Sequence, residues 1–110
     1  MLQVTDKLLR DMTDLIVKEC APQKVILFGS HARGTAGDNS DLDFMIIENF
    51  TKVGKSREET LSGLCQLLFD YDLPIDLLLY SPEEVTKWSK AKNHVVAHAL
   101  REGKVLYERH

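Results

Sequence analysis

Val25-Ile26-Leu27-Phe28 is a wholly apolar, partly β-branched run followed by Gly29-Ser30, and after ten intervening residues comes Asp41-Leu42-Asp43. A run of that length and composition reads as a strand buried on both faces. Gly29 lets the backbone approach a ligand closely, and a helix starting there would present N–H groups to an anion. The Ser30 hydroxyl can donate to a phosphate oxygen. Gly34, Gly37 and Asp38-Asn39 are strand-ending signals, so a turn separates this strand from a second one running from Asp41 to about Glu48. Strand alternation sends residues i and i+2 to one face, so Asp41 and Asp43 point together while Leu42, Phe44 and Ile46 take the other. Two carboxylates about 5 Å apart repel by roughly 3 kcal/mol at an effective dielectric near 20, and a cation between them reverses that sign.

Pro74 introduces a third strand, Ile75 to Tyr80, in which Asp76 is the one acid among apolar neighbours. Aspartate is disfavoured inside strands, and unpaired burial would cost several kcal/mol, so Asp76 needs a cation, a hydrogen bond or an edge position. If this strand lies beside the second, three carboxylates share one face. That donor set can hold two divalent ions and activate a hydroxyl for attack on phosphorus. Hard oxygen ligands without His or Cys favour magnesium or manganese over zinc. On the residues alone, Gly29-Ser30 also fits an ordinary turn, and Asp41 and Asp43 also fit solvated positions at a strand entrance.

Apolar residues Leu8, Leu9, Met12, Leu15, Ile16 and Cys20 recur at helical spacing between Leu2 and Cys20, with Thr5-Asp6 as cap and Pro22 as stop. Residues 49–55 are polar and read as an exposed loop. Ser56 with Glu59 forms a capping box for a helix to Phe69, whose apolar stripe is Leu61, Leu64, Cys65 and Leu68. Ser81-Pro82-Glu83-Glu84 starts a further helical stretch that continues to Arg101, with a break near Lys92-Asn93. Gly103 closes it, and Val105 to Tyr107 add a short strand. The order predicts an α+β fold: a mixed sheet packed with helices in one domain.

With 110 residues, 44% of them apolar, the chain can build a core without disulfides or a structural metal. The net charge of -3 argues against a stable nucleic-acid interface. No apolar run approaches a membrane span and no secretory apolar region opens the chain, so a cytoplasmic location is expected. Cys20 and Cys65 match no metal-ligand spacing and read as reduced, buried thiols.

Phe28-Gly-Ser-His-Ala-Arg-Gly-Thr-Ala36, continued by Ser40-Asp-Leu-Asp43 and by the ending Ala99-Leu-Arg-Glu-Gly-Lys-Val-Leu-Tyr107, resembles the minimal (MNT-type) branch of the DNA polymerase β-like nucleotidyltransferase superfamily. The resemblance spans nearly the whole chain. It implies that Gly29 and Ser30 contact the triphosphate, with Arg33 supporting that loop. It further implies that Asp41, Asp43 and Asp76 hold two Mg2+ ions (or Mn2+), and that Asp76 can serve as general base. His31 stands at a variable position of the motif and is expected partly exposed at a helix start. The implied reaction is transfer of AMP from ATP with release of pyrophosphate.

Larger relatives carry a further domain that binds the acceptor, so the acceptor here is expected to be small or supplied by another chain, in a homo- or hetero-oligomer. Such minimal enzymes resemble the antitoxin half of prokaryotic HEPN/MNT toxin–antitoxin pairs, which implies AMP transfer to a tyrosine of a HEPN ribonuclease toxin. A small-molecule nucleotidyltransferase of the antibiotic type and a non-catalytic antitoxin that only covers its toxin are the alternatives. Candidate partner contacts are Lys52, Lys55 and Arg57, each of which also fits a solvated loop. Trp88 with Val85 or Val95 fits either a partner-facing patch or core.

Overall fold

The computed structural model describes residues 4–36, 41–50 and 54–109. Helix α1 (Asp6–Cys20) begins where the Thr5 hydroxyl accepts a hydrogen bond from the Leu8 N–H, and it ends at Ala21 in the left-handed region. Residues 1–3, in the stretch expected to open this helix, lie outside the described residues. Strand β1 (Lys24–Phe28) runs into the single-turn helix α2 (Ser30–Arg33). Strand β2 (Leu42–Ile47) starts one residue later than expected, leaving Asp41 just outside it. The turn at 37–40 is not among the described residues.

Helix α3 (Arg57–Leu68) carries the complete Ser56/Glu59 capping box and supplies the crossover that parallel strands require. Strand β3 (Ile75–Tyr80) pairs parallel to β2. The helical stretch after Ser81 divides into α4 (Pro82–Trp88) and α5 (Val95–Glu102), on either side of the expected break. Strand β4 (Lys104–Glu108) closes the sheet, whose order is β3-β2-β1-β4 with β1 antiparallel to both neighbours.

Alternation along the strands builds two apolar layers. Val25, Leu27, Leu42, Phe44 and Ile46 face α1 and α3, meeting Met12, Ile16, Leu64 and Leu68. Ile26, Met45 and Ile47 face α5 and α4, meeting Val96, Ala99, Val85 and Trp88. Each fully buried side chain of this size contributes roughly 2 kcal/mol. Trp88 packs against this second layer: its ring stacks on His94 at 4.3 Å, and the His94 Nδ1 accepts the Val96 N–H at the start of α5. Trp88 is half-buried, packed against this layer on one side.

Arg57 also differs from the expected loop cation. It is the first residue of α3, ion-paired to Glu84, with its guanidinium 5.3 Å from the Phe50 ring centroid and 5.8 Å from that of Tyr80. It ties the start of α3 to the start of α4, so Arg57→Ala is expected to cost roughly 1 kcal/mol in denaturant unfolding. A loss of a few tenths or less would show the contact to be incidental. Lys52 lies outside the described residues, and Lys55 is exposed.

The two thiols part company. Cys65 is exposed rather than buried: with Leu68 it lines an open groove at the margin of the core. Cys20 is half-buried beside Glu48, and burial followed by the Glu48 charge pushes its thiol up from 9.0 to about 12. At pH 8 Cys20 is expected to react with a thiol-specific disulfide reagent on the order of a thousandfold more slowly than an ordinary cysteine. Two equally fast thiols in the native protein would contradict that environment.

Candidate functional site

The site lies at the corner where β1 ends and β2 and β3 begin. Parallel pairing sets Asp43 opposite Asp76, and antiparallel pairing sets Asp43 opposite Phe28, so these three residues form one row on one face. It is the face covered further along by α5 and α4. The two acids therefore end the second apolar layer, on the same side of the sheet. Asp76 is exposed and Asp43 half-buried.

Immediately after Phe28 the backbone turns at Gly29, with φ 77° and ψ −158°, a conformation open essentially only to glycine. A β-carbon at Gly29 would overlap the Asp43 carboxylate, so the acid fills the space a side chain would take. The Gly29 carbonyl accepts the N–H groups of Ala32 and Arg33, each at 3.1 Å, and the Ser30 carbonyl accepts the Thr35 N–H at 3.0 Å. These bonds hold the tight turn of α2, with Ser30 as its first residue, directly against Asp43.

The electrostatics converge on Asp43. Its carboxyl is raised above the usual aspartate range, first by burial and then by the negative charges of Asp76 and Asp41, with His31 and Arg33 partly offsetting the rise. Asp41 is exposed and one residue short of β2, yet close enough for its charge to be felt. The expected trio thus resolves into a pair, Asp43 and Asp76, with Asp41 at its margin. Among the described residues, no three His, Cys, Asp or Glu side chains stand in a ready-made ion cage.

The donor set nevertheless fits a divalent cation. It is all oxygen and like-charged, and its mutual repulsion is visible in the raised Asp43 carboxyl. Arg33, exposed on α2, lies 3.9 Å from Glu102 on α5, a loose pair that leaves its charge acting on Asp43. His31, which the motif gave little weight, is half-buried on α2 and electrostatically part of the site. Its position one residue after Ser30 was the available signal.

Sequence reading also missed a groove of about 370 Å³ beside Gly29, walled by Phe28 and Arg33 on one side and by Asn93, Val95 and His98 on the other. Its far wall comes from α5 and the residues just before it, more than sixty residues on in the chain, and nothing local in the sequence links it to Gly29. Among the described residues, no helix is long and apolar enough to cross a membrane.

A family model described as "Polymerase beta, Nucleotidyltransferase" matches residues 11–110. Two proteins of Methanocaldococcus jannaschii are similar in sequence. "Putative protein adenylyltransferase MJ1305" is 29% identical over 94% of this chain and 75% of its own length. "Putative protein adenylyltransferase MJ0604" is 37% identical over 77% of this chain and 78% of its own. Two solved structures share the fold. One is described as "a putative nucleotidyltransferase from Sulfolobus solfataricus", with TM-score 0.63, 15% identity and coverage of 94% of this chain and 79% of its own. The other is a chain from the "Crystal structure of the toxin-antitoxin with AMP-PNP", with TM-score 0.56, 21% identity and coverage of 91% and 73%.

Proposed function

The chain belongs to the polymerase β nucleotidyltransferase family, and from that premise we propose that it moves AMP from ATP to a hydroxyl of a partner protein. The observation that carries the reading is the Asp43–Asp76 pair, set in register across two strands and pressed against the glycine turn that begins α2. A purely steric binding protein has no use for acids set side by side, one of them with its carboxyl raised by burial and by the other's charge. The nature of the acceptor rests on the two relatives named as protein adenylyltransferases.

In the proposed arrangement Gly29 admits the triphosphate close to the backbone, and the Ser30 hydroxyl donates to a phosphate oxygen. Arg33 adds positive charge at the same end. Asp41, Asp43 and Asp76 would hold divalent cations, Mg2+ or Mn2+, which when bound neutralise charge on the reacting oxygens. Asp76, which is exposed, would accept the proton of the incoming hydroxyl. The hydroxyl oxygen bonds to the α-phosphorus in line as the bond to the β-phosphate oxygen breaks. Pyrophosphate leaves with that electron pair.

The partner we propose is a helical HEPN ribonuclease toxin, silenced by AMP on a tyrosine; the structural neighbour from a toxin–antitoxin supports that context. Mass spectrometry of the product of the adjacent gene, after incubation with this protein, ATP and magnesium, tests the reading. A gain of one or more AMP units is expected on that product. AMP found instead on a small hydroxyl compound would move the enzyme to the antibiotic-type class. Neutralisation of the toxin by a variant lacking all three acids would reduce the chain to a covering protein.

A further inference from the structure

Strand β3 is one of the two outer strands of the sheet. The Leu42 N–H donates to Pro74 and the Glu48 N–H to Tyr80, which in a parallel ladder turns the backbone of even-numbered β3 residues toward β2. The backbone groups of Ile75, Leu77 and Leu79 therefore face outward. Beside this edge, on the side of the sheet opposite Asp76, lies an apolar groove of about 210 Å³ walled by Leu68, Phe69, Tyr71, Leu73, Ile75 and Leu77. Phe69 at its rim is 82% exposed. Leaving a phenylalanine in water forgoes roughly 2 kcal/mol.

Natural edge strands are commonly guarded by lysine. Here residues 65–77, which supply every wall of the groove, contain Asp70 and Asp72 interleaved with Phe69, Tyr71 and Leu73, and Asp76 on the opposite face, with no lysine, arginine or histidine. A second copy of the chain would set that acidic segment against itself, which like-charge repulsion disfavours. A basic partner gains from the same charge.

We propose that this groove and the β3 edge dock the acceptor protein, receiving a segment with a bulky apolar side chain flanked by lysine or arginine. The side chain enters the groove beside Phe69, the flanking cations meet the acids of the segment, and the outward backbone of β3 offers strand pairing. A segment seated there lies one strand edge away from Asp76, whose side chain projects from the opposite face of the same strand. The role of acceptor rests on the transfer reading above, whereas the docking chemistry does not.

Two-dimensional NMR of the full chain tests it, using a short synthetic peptide with a Leu-Phe centre flanked by lysines. Shifts are expected at Phe69, Leu73, Ile75 and Leu77, and affinity should fall with added salt. Phe69→Ser, at an exposed position where folding is unaffected, should weaken binding tenfold or more. Asp43→Asn, chosen to remove transfer, should bind the peptide as the wild type does, so loss of chemistry and loss of docking read out separately. Equal binding of a glutamate-flanked peptide, or shifts confined to another surface, would overturn the proposal. So would wild-type dimers that Phe69→Ser dissolves, since those would assign the groove to a second copy.

Discussion

Replacing Asp41 and Asp43 together by asparagine is expected to lower AMP transfer by roughly a thousandfold or more, the scale reached when a preorganised charge-stabilising group is removed. The same change should leave the fold intact and, near neutral pH, at least as stable as the wild type. The direction follows from linkage. In the folded chain the Asp43 carboxyl is raised by burial and by its acidic neighbours, so it holds its proton to higher pH than it does when unfolded. Stability from such a group is complete below its ordinary value of 3.8 and is lost as pH rises through the raised folded value. Asparagine escapes that loss. The variant's advantage in thermal melts without added cations should therefore appear at neutral pH and vanish below pH 3.8. Added magnesium with an ATP analogue should raise the melting temperature of the wild type and not that of the variant. Undiminished transfer of labelled nucleotide would remove both residues from the chemistry.

The second large effect belongs to Gly29→Ala. At φ 77° and ψ −158° an alanine is strained by about 1–3 kcal/mol, and its methyl would also overlap the Asp43 carboxylate. Gly34 provides an internal comparison, because its φ is 75° and nothing lies within 4 Å of a β-carbon built there. Gly34→Ala should cost about 1 kcal/mol through backbone strain alone. Gly29→Ala should cost clearly more and should displace Asp43, so transfer falls with it. In an Asp43→Ala background the excess cost should largely disappear, a coupling that a double-mutant cycle reads directly. Identical costs in the two backgrounds would show that the acid and the turn do not share that space.

Much of this corner is written locally. The apolar run ending at Phe28 and the acids of the Asp41-Leu42-Asp43 stretch need only strand periodicity to be read, and the capping boxes at Ser56 and Ser81 are plain in four residues each. That Asp76 shares the face of Asp43 depends on register between strands separated by α3, which periodicity leaves open and the paired positions decide. Other features come from packing across long chain separations. Cys65 sits at a helical spacing that suits the core, yet the core ends at Leu64 and Leu68 and the thiol lines the open groove beyond them. Arg57 looked like a loop cation because its partners, Glu84 and Tyr80, lie more than twenty residues away. Asp41 was expected inside a strand and sits just before it, so the acids form a pair with a third at the margin.

Anomalous diffraction from crystals grown with Mn2+ and a non-hydrolysable ATP analogue reaches the centre of the account most directly. Manganese is expected between the carboxylates at positions 43 and 76, with the triphosphate lying along the turn at residues 29 and 30. A triphosphate seated elsewhere on the chain, with no manganese at that pair of strands, would contradict it.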